Sequence, residues 1–203
     1  MDVDPVDAAT SADEDSTASR DRARTRLNSR VAITVALVAT FLGICRVKDD
    51  NIGQAMQQAQ ADKLDHWNFY QARNIRQEVA SAAVTQLELA AAGAPATQQE
   101  SYRAAMAKYQ ALVTDQATKK EELRQQAEAD QKTYDALNYR DDQFDLSDAL
   151  LAISIAMLAV TALTRLWPLY WASLVPTGFG LLMGVAGLAA LPIHPGALIK
   201  LLS

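Results

Sequence analysis

The sequence predicts an all-α, integral membrane protein: three transmembrane helices, with a long antiparallel coiled-coil hairpin between the first and second. Three observations predict it. Val31–Cys45, Ala149–Leu163 and Leu166–Ile193 are apolar runs without a single charge. Between the first two lies a polar stretch, Arg46 to Phe144, rich in Ala and Gln and almost free of Gly and Pro until Gly93–Thr97, where Pro95 sits inside a turn. The arms on either side of that turn are nearly equal in length. Average hydropathy near zero therefore sums very polar and very apolar segments, the pattern of a membrane protein rather than a globular enzyme.

In chain order, residues 1–29 read as a disordered tail. They are Asp, Ala, Ser, Thr and Arg with almost no large apolar side chain, too little to offset the entropy of ordering. Six acidic residues come first, and Arg20, Arg22, Arg24, Arg26 and Arg30 follow, hard against the first apolar run. Lys and Arg beside a span favour the cytoplasm, which predicts a cytoplasmic N-terminus and a periplasmic hairpin. Residues 30–46 form the first span. Its charge-free run covers about 22 Å against a hydrocarbon core of about 30 Å, and Arg30 and Arg46 lengthen it by snorkelling. A cleaved signal peptide shares this layout, but no A-x-A site follows, and bulky Ile44 occupies the small-residue position of a lipoprotein box.

Residues 47–144 form the hairpin, with arms 49–92 and 98–143. In the first arm Ala61, Leu64, Asn68, Ala72, Ile75, Val79 and Ala82 fall at steps of three and four, which puts them on one face as a soft stripe. In the second, Tyr102, Met106, Tyr109, Val113, Gln116, Lys120, Leu123, Ala127, Asp130, Tyr134, Leu137, Asp141 and Phe144 keep a heptad repeat. Each arm would reach ~65 Å, and such polar-seamed rods are expected to pack on other copies. Residues 145–164 are the second span, 166–193 the third, with Pro192 and Pro195 closing it, and 194–203 a C-terminal tail. Trp167, Tyr170 and Trp171 suit a membrane interface.

Three features are candidates for function. Each span carries a stripe of small residues: Ala32, Ala36, Ala39 and Gly43; Ala149, Ala152, Ala156 and Ala159; Ser173, Thr177, Gly180, Gly184 and Gly187. Close backbone approach through such residues drives helix packing in lipid, within a subunit, between subunits or both, although Ala is simply abundant here. Ser147, Ser154 and Thr161, seven apart, would line a pore in an oligomer or else make hydrogen bonds between and within helices. Asp49, Asp50, Asp141, Asp142, Asp145 and Asp148 form an acidic rim that would gather cations at a vestibule, or be a solvated boundary paired with Arg46, Lys48 and Arg140.

Chemistry is otherwise sparse. The net charge of −5 gives no sign of nucleic-acid binding, and one cysteine excludes an intramolecular disulfide. Neither His66 nor His194 has a second ligand at metal spacing, and no catalytic or phosphate-binding motif occurs, so no enzyme, cofactor or metal is expected. Spans without an ionisable residue lack the usual machinery of proton-coupled transport.

The run from Lys48 to Asp62 (KDDNIGQAMQQAQAD), Trp67–Arg73 (WNFYQAR) and Phe144–Leu151 (FDLSDALL) resemble a family of small bacterial inner-membrane proteins carrying a domain of unknown function. The likeness covers roughly Asn28 to the last span, without the acidic tail. It implies an uncleaved first span and the same three-span plan, and it brings no catalytic residues. The function expected is an oligomeric membrane-anchored structural or interaction protein presenting a periplasmic hairpin as scaffold or adaptor. The alternative is an oligomeric cation channel lined by the second span. Membrane lipids, further copies of the chain, and another membrane or periplasmic protein are the partners expected.

Overall fold

The structure is a computed structural model that describes residues 5–193, with side chains from residue 22. Helix α1 spans Pro5–Ala92, a single 3-10 turn Ala96–Gln98, helix α2 Gln99–Thr164 and helix α3 Trp167–Ala189. No strand occurs among the described residues. All three helices are long and apolar enough, by length and composition, to cross a membrane.

The breaks fall where backbone chemistry requires them. Pro95 is extended and starts the 3-10 turn, so neither α1 nor α2 can run through it. Gln99 Nε2 donates to Ala91 O at the end of α1 at 2.8 Å and to Ala94 O in the turn at 3.2 Å. Between α2 and α3, Arg165 turns the chain with φ 57°. Pro168 follows in the first turn of α3, where a missing N–H costs nothing.

Two expected boundaries move. Helix α1 already begins at Pro5, inside the stretch whose composition suggests disorder. Ala, Ser and Arg tolerate a helix, and the one large apolar residue near the end of that stretch, Leu27, is fully buried in a cluster with Val31, Leu158 and Tyr170. The last helix ends at Ala189 rather than Ile193. Ala190 adopts a left-handed conformation, its N–H and that of Leu191 both return to Ala186 O, and the chain has turned before Pro192. Residues 1–4 and the tail 194–203, including His194 and Pro195, lie outside the described residues.

The chain forms two compact units, Met1–Ile52 with Tyr139–Ser203, and Gly53–Asn138. In the first, the segments of α1, α2 and α3 pack as three helices. Arg46 pairs with Asp148, Thr34 meets the Tyr170 hydroxyl at 3.2 Å, and Ser147 reaches Gly180 O. In the second, the arms of α1 and α2 lie antiparallel: His66 contacts Asp130, Asn74 contacts Lys120 and Arg73 contacts Gln116.

Candidate functional site

In the first unit the three small-residue stripes do not behave alike. That of α3 is packed. Ser173, Thr177, Gly180, Gly184 and Gly187 are all buried. A methyl group placed on Gly180 would meet Leu151 at 2.7 Å, on Gly184 the Phe41 ring at 2.6 Å, and on Gly187 the Phe144 ring at 2.9 Å. Only glycine admits α1 and α2 side chains so close to the α3 backbone. The other two stripes are mostly open. Ala32, Ala36, Ala39 and Gly43 are exposed, as are Ala152, Ala156 and Ala159, while Ala149 is half-buried. The residues that α1 and α2 bury instead are Val31, Val38 and Cys45, and Leu151, Ser154, Leu158 and Thr161. Ala32 and Ala36 face Ile155, Ala159 and Ala162 across an open apolar groove of about 480 Å³.

The hydroxyl line lies inside this packing. Ser147, Ser154 and Thr161 are fully buried. Ser147 donates to Gly180 O, Ser154 to Leu150 O and Thr161 to Met157 O, each at 2.8 Å. Of the two expectations for this line, hydrogen bonds between and within helices are the ones present. Their protons are taken by backbone carbonyls, and their neighbours are helices.

At the start of the hairpin arms the acidic rim divides. Asp148 and Arg46 form a two-point ion pair, with Arg46 Nε and Nη2 donating at 3.1 and 3.2 Å. Asp50 and Asp145 are exposed, and Asp142 is half-buried. Asp49 lies beside Asp141, and its Oδ1 is buried without a hydrogen-bond partner. Burial, then the charges of Asp141 and Asp145, push Asp49 up to about 6, and burial also raises Asp141. Burial and neighbouring charge make both carboxyls easier to protonate in the fold than in water. Arg140 donates to Gly187 O at 3.2 and 2.9 Å, and the buried Gln143 amide donates to Leu191 O and Ile193 O. Arg140 and Gln143 thus cap the carbonyl end of α3, a role the sequence pattern did not signal.

In the second unit the packed face of α1 is not the soft stripe read from its sequence. Ile52, at the border of the first unit, opens the row. Met56, Ala59, Lys63, His66, Tyr70, Arg73, Gln77, Ala80, Val84, Leu87 and Ala91 continue it at alternating steps of four and three, and all are buried or half-buried. Against them stand Tyr102, Met106, Val113, Gln116, Lys120, Leu123, Ala127, Asp130, Tyr134 and Leu137, the heptad read from the second arm, with Tyr109 left exposed. Polar side chains on and beside the two rows pair across the seam, while Gln77 Oε1 is buried without a partner. His66 Nδ1 lies 2.6 Å from Asp130 Oδ2, Lys63 donates to Gln131, Arg73 to Gln116 at 3.2 Å, and Lys120 to Asn74 at 2.9 Å. The soft stripe is outside: Ala61, Leu64, Asn68, Ile75, Val79 and Ala82 are exposed and Ala72 is half-buried. A search for apolar periodicity finds the outer row because the inner one carries Lys, His, Arg and Gln. Among the described residues no cluster of His, Cys, Asp and Glu is placed to hold a metal ion.

Comparison with known proteins gives one finding. Residues 27–190 match a domain family described as a domain of unknown function, DUF4337. No curated protein and no solved structure matches the chain. The match covers most of the sequence, and the chain belongs to that family.

Proposed function

We propose that this chain is an oligomeric, membrane-anchored structural or interaction protein of the bacterial inner membrane. Three spans hold a helical hairpin on the periplasmic side as a scaffold or adaptor, with the N-terminus in the cytoplasm. The observation that carries the reading is the open groove between α1 and α2, lined by Ala32, Ala36 and Ala159. Lipid tails supply no hydrophobic drive between helices, so association depends on small residues that let backbones approach. In α3 such residues are used up inside the chain. In α1 and α2 they are left free for other copies. In the hairpin, polar side chains pair across the seam and hold the two arms together. The channel reading has less support, because the hydroxyl line that would face its pore is buried within the chain.

The test is crosslinking of the full chain in native membranes, with Ala36→Cys in a Cys45→Ala background. Trapping of a defined oligomer is expected. A monomer at native expression would overturn the proposal.

A further inference from the structure

The outer stripe of the first hairpin arm has no partner within its unit. Ile75 is 63% exposed and Val79 64%, and Leu89 continues their row. From Asn68 through Ala72, Ile75, Val79, Ala82 and Gln86 to Leu89 the steps alternate four and three without a break. At about 100° per residue this row lies roughly 160° around α1 from the inner seam. The helix therefore carries two heptad faces, and only the polar one is covered. Helices with apolar residues repeating every 3.5 positions pack on another helix along that seam.

We propose that this stripe is the contact by which a second copy of the chain pairs with the first, α1 beside α1, parallel and in register. The proposal rests on the oligomeric membrane-anchored reading and names the surface that the hairpins use. Three observations select a second copy. The outer face of α2 offers no apolar acceptor. It carries the ion pairs Lys119–Asp115, Arg124–Glu121 and Arg124–Glu128, and among the described residues its large exposed apolar side chains within the unit are Tyr109 and Leu112. A two-fold dimer uses one patch twice, and α1 supplies that patch. Next, parallel in-register pairing sets Asn68 against its own image, and an amide is both donor and acceptor to an identical amide. Last, Leu64 and Phe69 flank the row, 57% and 60% exposed. Five residues apart on opposite flanks, they are the pair that a parallel coiled coil brings together across the interface, Leu64 of one copy beside Phe69 of the other. An antiparallel pairing leaves both bare.

One residue opposes the contact. Asp65 falls in the same row and would meet its image, a like-charge repulsion at the end of the stripe. The paired segment spans ~32 Å. So short and Ala-rich a contact is marginal against the ~1,000 Å² that a specific interface needs. Anchoring both copies in one membrane raises their effective concentration and offsets this.

The experiment uses the full chain in native membranes with Cys45→Ala, oxidised after introducing Ile75→Cys or Val79→Cys, with Glu121→Cys on the outer face of α2 as control. Disulfide-linked dimers are expected at 75 and 79, at least tenfold above 121. With Ala72→Cys as reporter, Ile75→Glu with Val79→Glu removes the dimer at unchanged helicity, because both sites are exposed. Asp65→Asn increases it. Absence of dimer at 75 and 79 alongside a dimer through Ala36→Cys overturns this pairing and leaves the oligomeric reading standing. Absence at all three positions overturns both. Adducts at 75 with a protein of another mass overturn the second copy as occupant.

Discussion

Around α3, helices meet through glycine. The backbone at Gly180, Gly184 and Gly187 is so close to Leu151, Phe41 and Phe144 that a methyl group would collide with each. Between residues 53 and 138 the same α1 and α2 pair polar groups across the seam, Lys63, His66, Arg73 and Asn74 with Gln131, Asp130, Gln116 and Lys120. In the first region position is enforced by shape, and the buried hydroxyls of Ser147, Ser154 and Thr161 are satisfied by backbone carbonyls. In the second it is enforced by which polar group finds which. Glycine contact tolerates no added volume. A polar seam tolerates volume at its edge but not loss of a partner, because the group left behind is half-buried without a hydrogen bond.

Substitutions that break this contrast follow in order of size. Gly184→Ala forces the Phe41 ring aside, and overpacking of this kind costs about 1–3 kcal/mol, against a helix-propensity gain of about 1. Gly43→Ala, with nothing within 4 Å of the added methyl, is expected to cause no loss. Thermal unfolding of the two variants in detergent separates them. Equal effects would remove the distinction between packed and open stripes.

The seam is sharpened next. A double-mutant cycle on His66→Ala and Asp130→Ala should give a coupling of about 1–2 kcal/mol, as for a hydrogen bond to a charged group that is largely shielded from water. Additive single effects would mean the pair does not hold the register.

Asp49 gives a smaller, pH-dependent effect. Its folded-state value of about 6 lies above the usual carboxyl value, so the folded chain binds its proton more tightly than the unfolded chain does. Stability is therefore highest below the ordinary carboxyl range and falls as pH rises toward about 6. Asp49→Asn should raise the neutral-pH Tm by an amount equivalent to no more than about 1 kcal/mol, since water screens the part-exposed pair. It should also flatten the dependence between pH 4 and 6. An unchanged pH profile would show that burial and the neighbouring carboxylates do not raise Asp49. Smallest of all, Lys119→Ala, which removes a solvated i,i+4 pair, should leave the melting curve unchanged.

The rods, their turn at Pro95 and the second arm's heptad were legible because apolar residues and helix breakers mark them. The first arm's seam was not. Lys63, His66, Arg73 and Gln77 occupy the inner row, and they read as surface until the opposite residues Gln131, Asp130 and Gln116 are set beside them. The same limit applies to the stripes. Spacing alone groups Ala36 with Gly184, and what separates them is whether an aromatic ring lies above, which is a tertiary fact. Ser154 and Thr161 mark a helical line in sequence, but whether it faces water or a neighbour depends on how α1 and α3 flank α2.

The most direct measurement is intrachain disulfide formation along the first arm in membranes. The chain carries Asp130→Cys, Cys45→Ala and one further cysteine, at His66 or at Asn68. With the inner row at Ile52–Ala91, His66→Cys closes a disulfide within one chain and Asn68→Cys does not. Closure at Asn68 with none at His66 would put the apolar stripe in the seam and contradict both the hairpin register and the second-copy surface built on it.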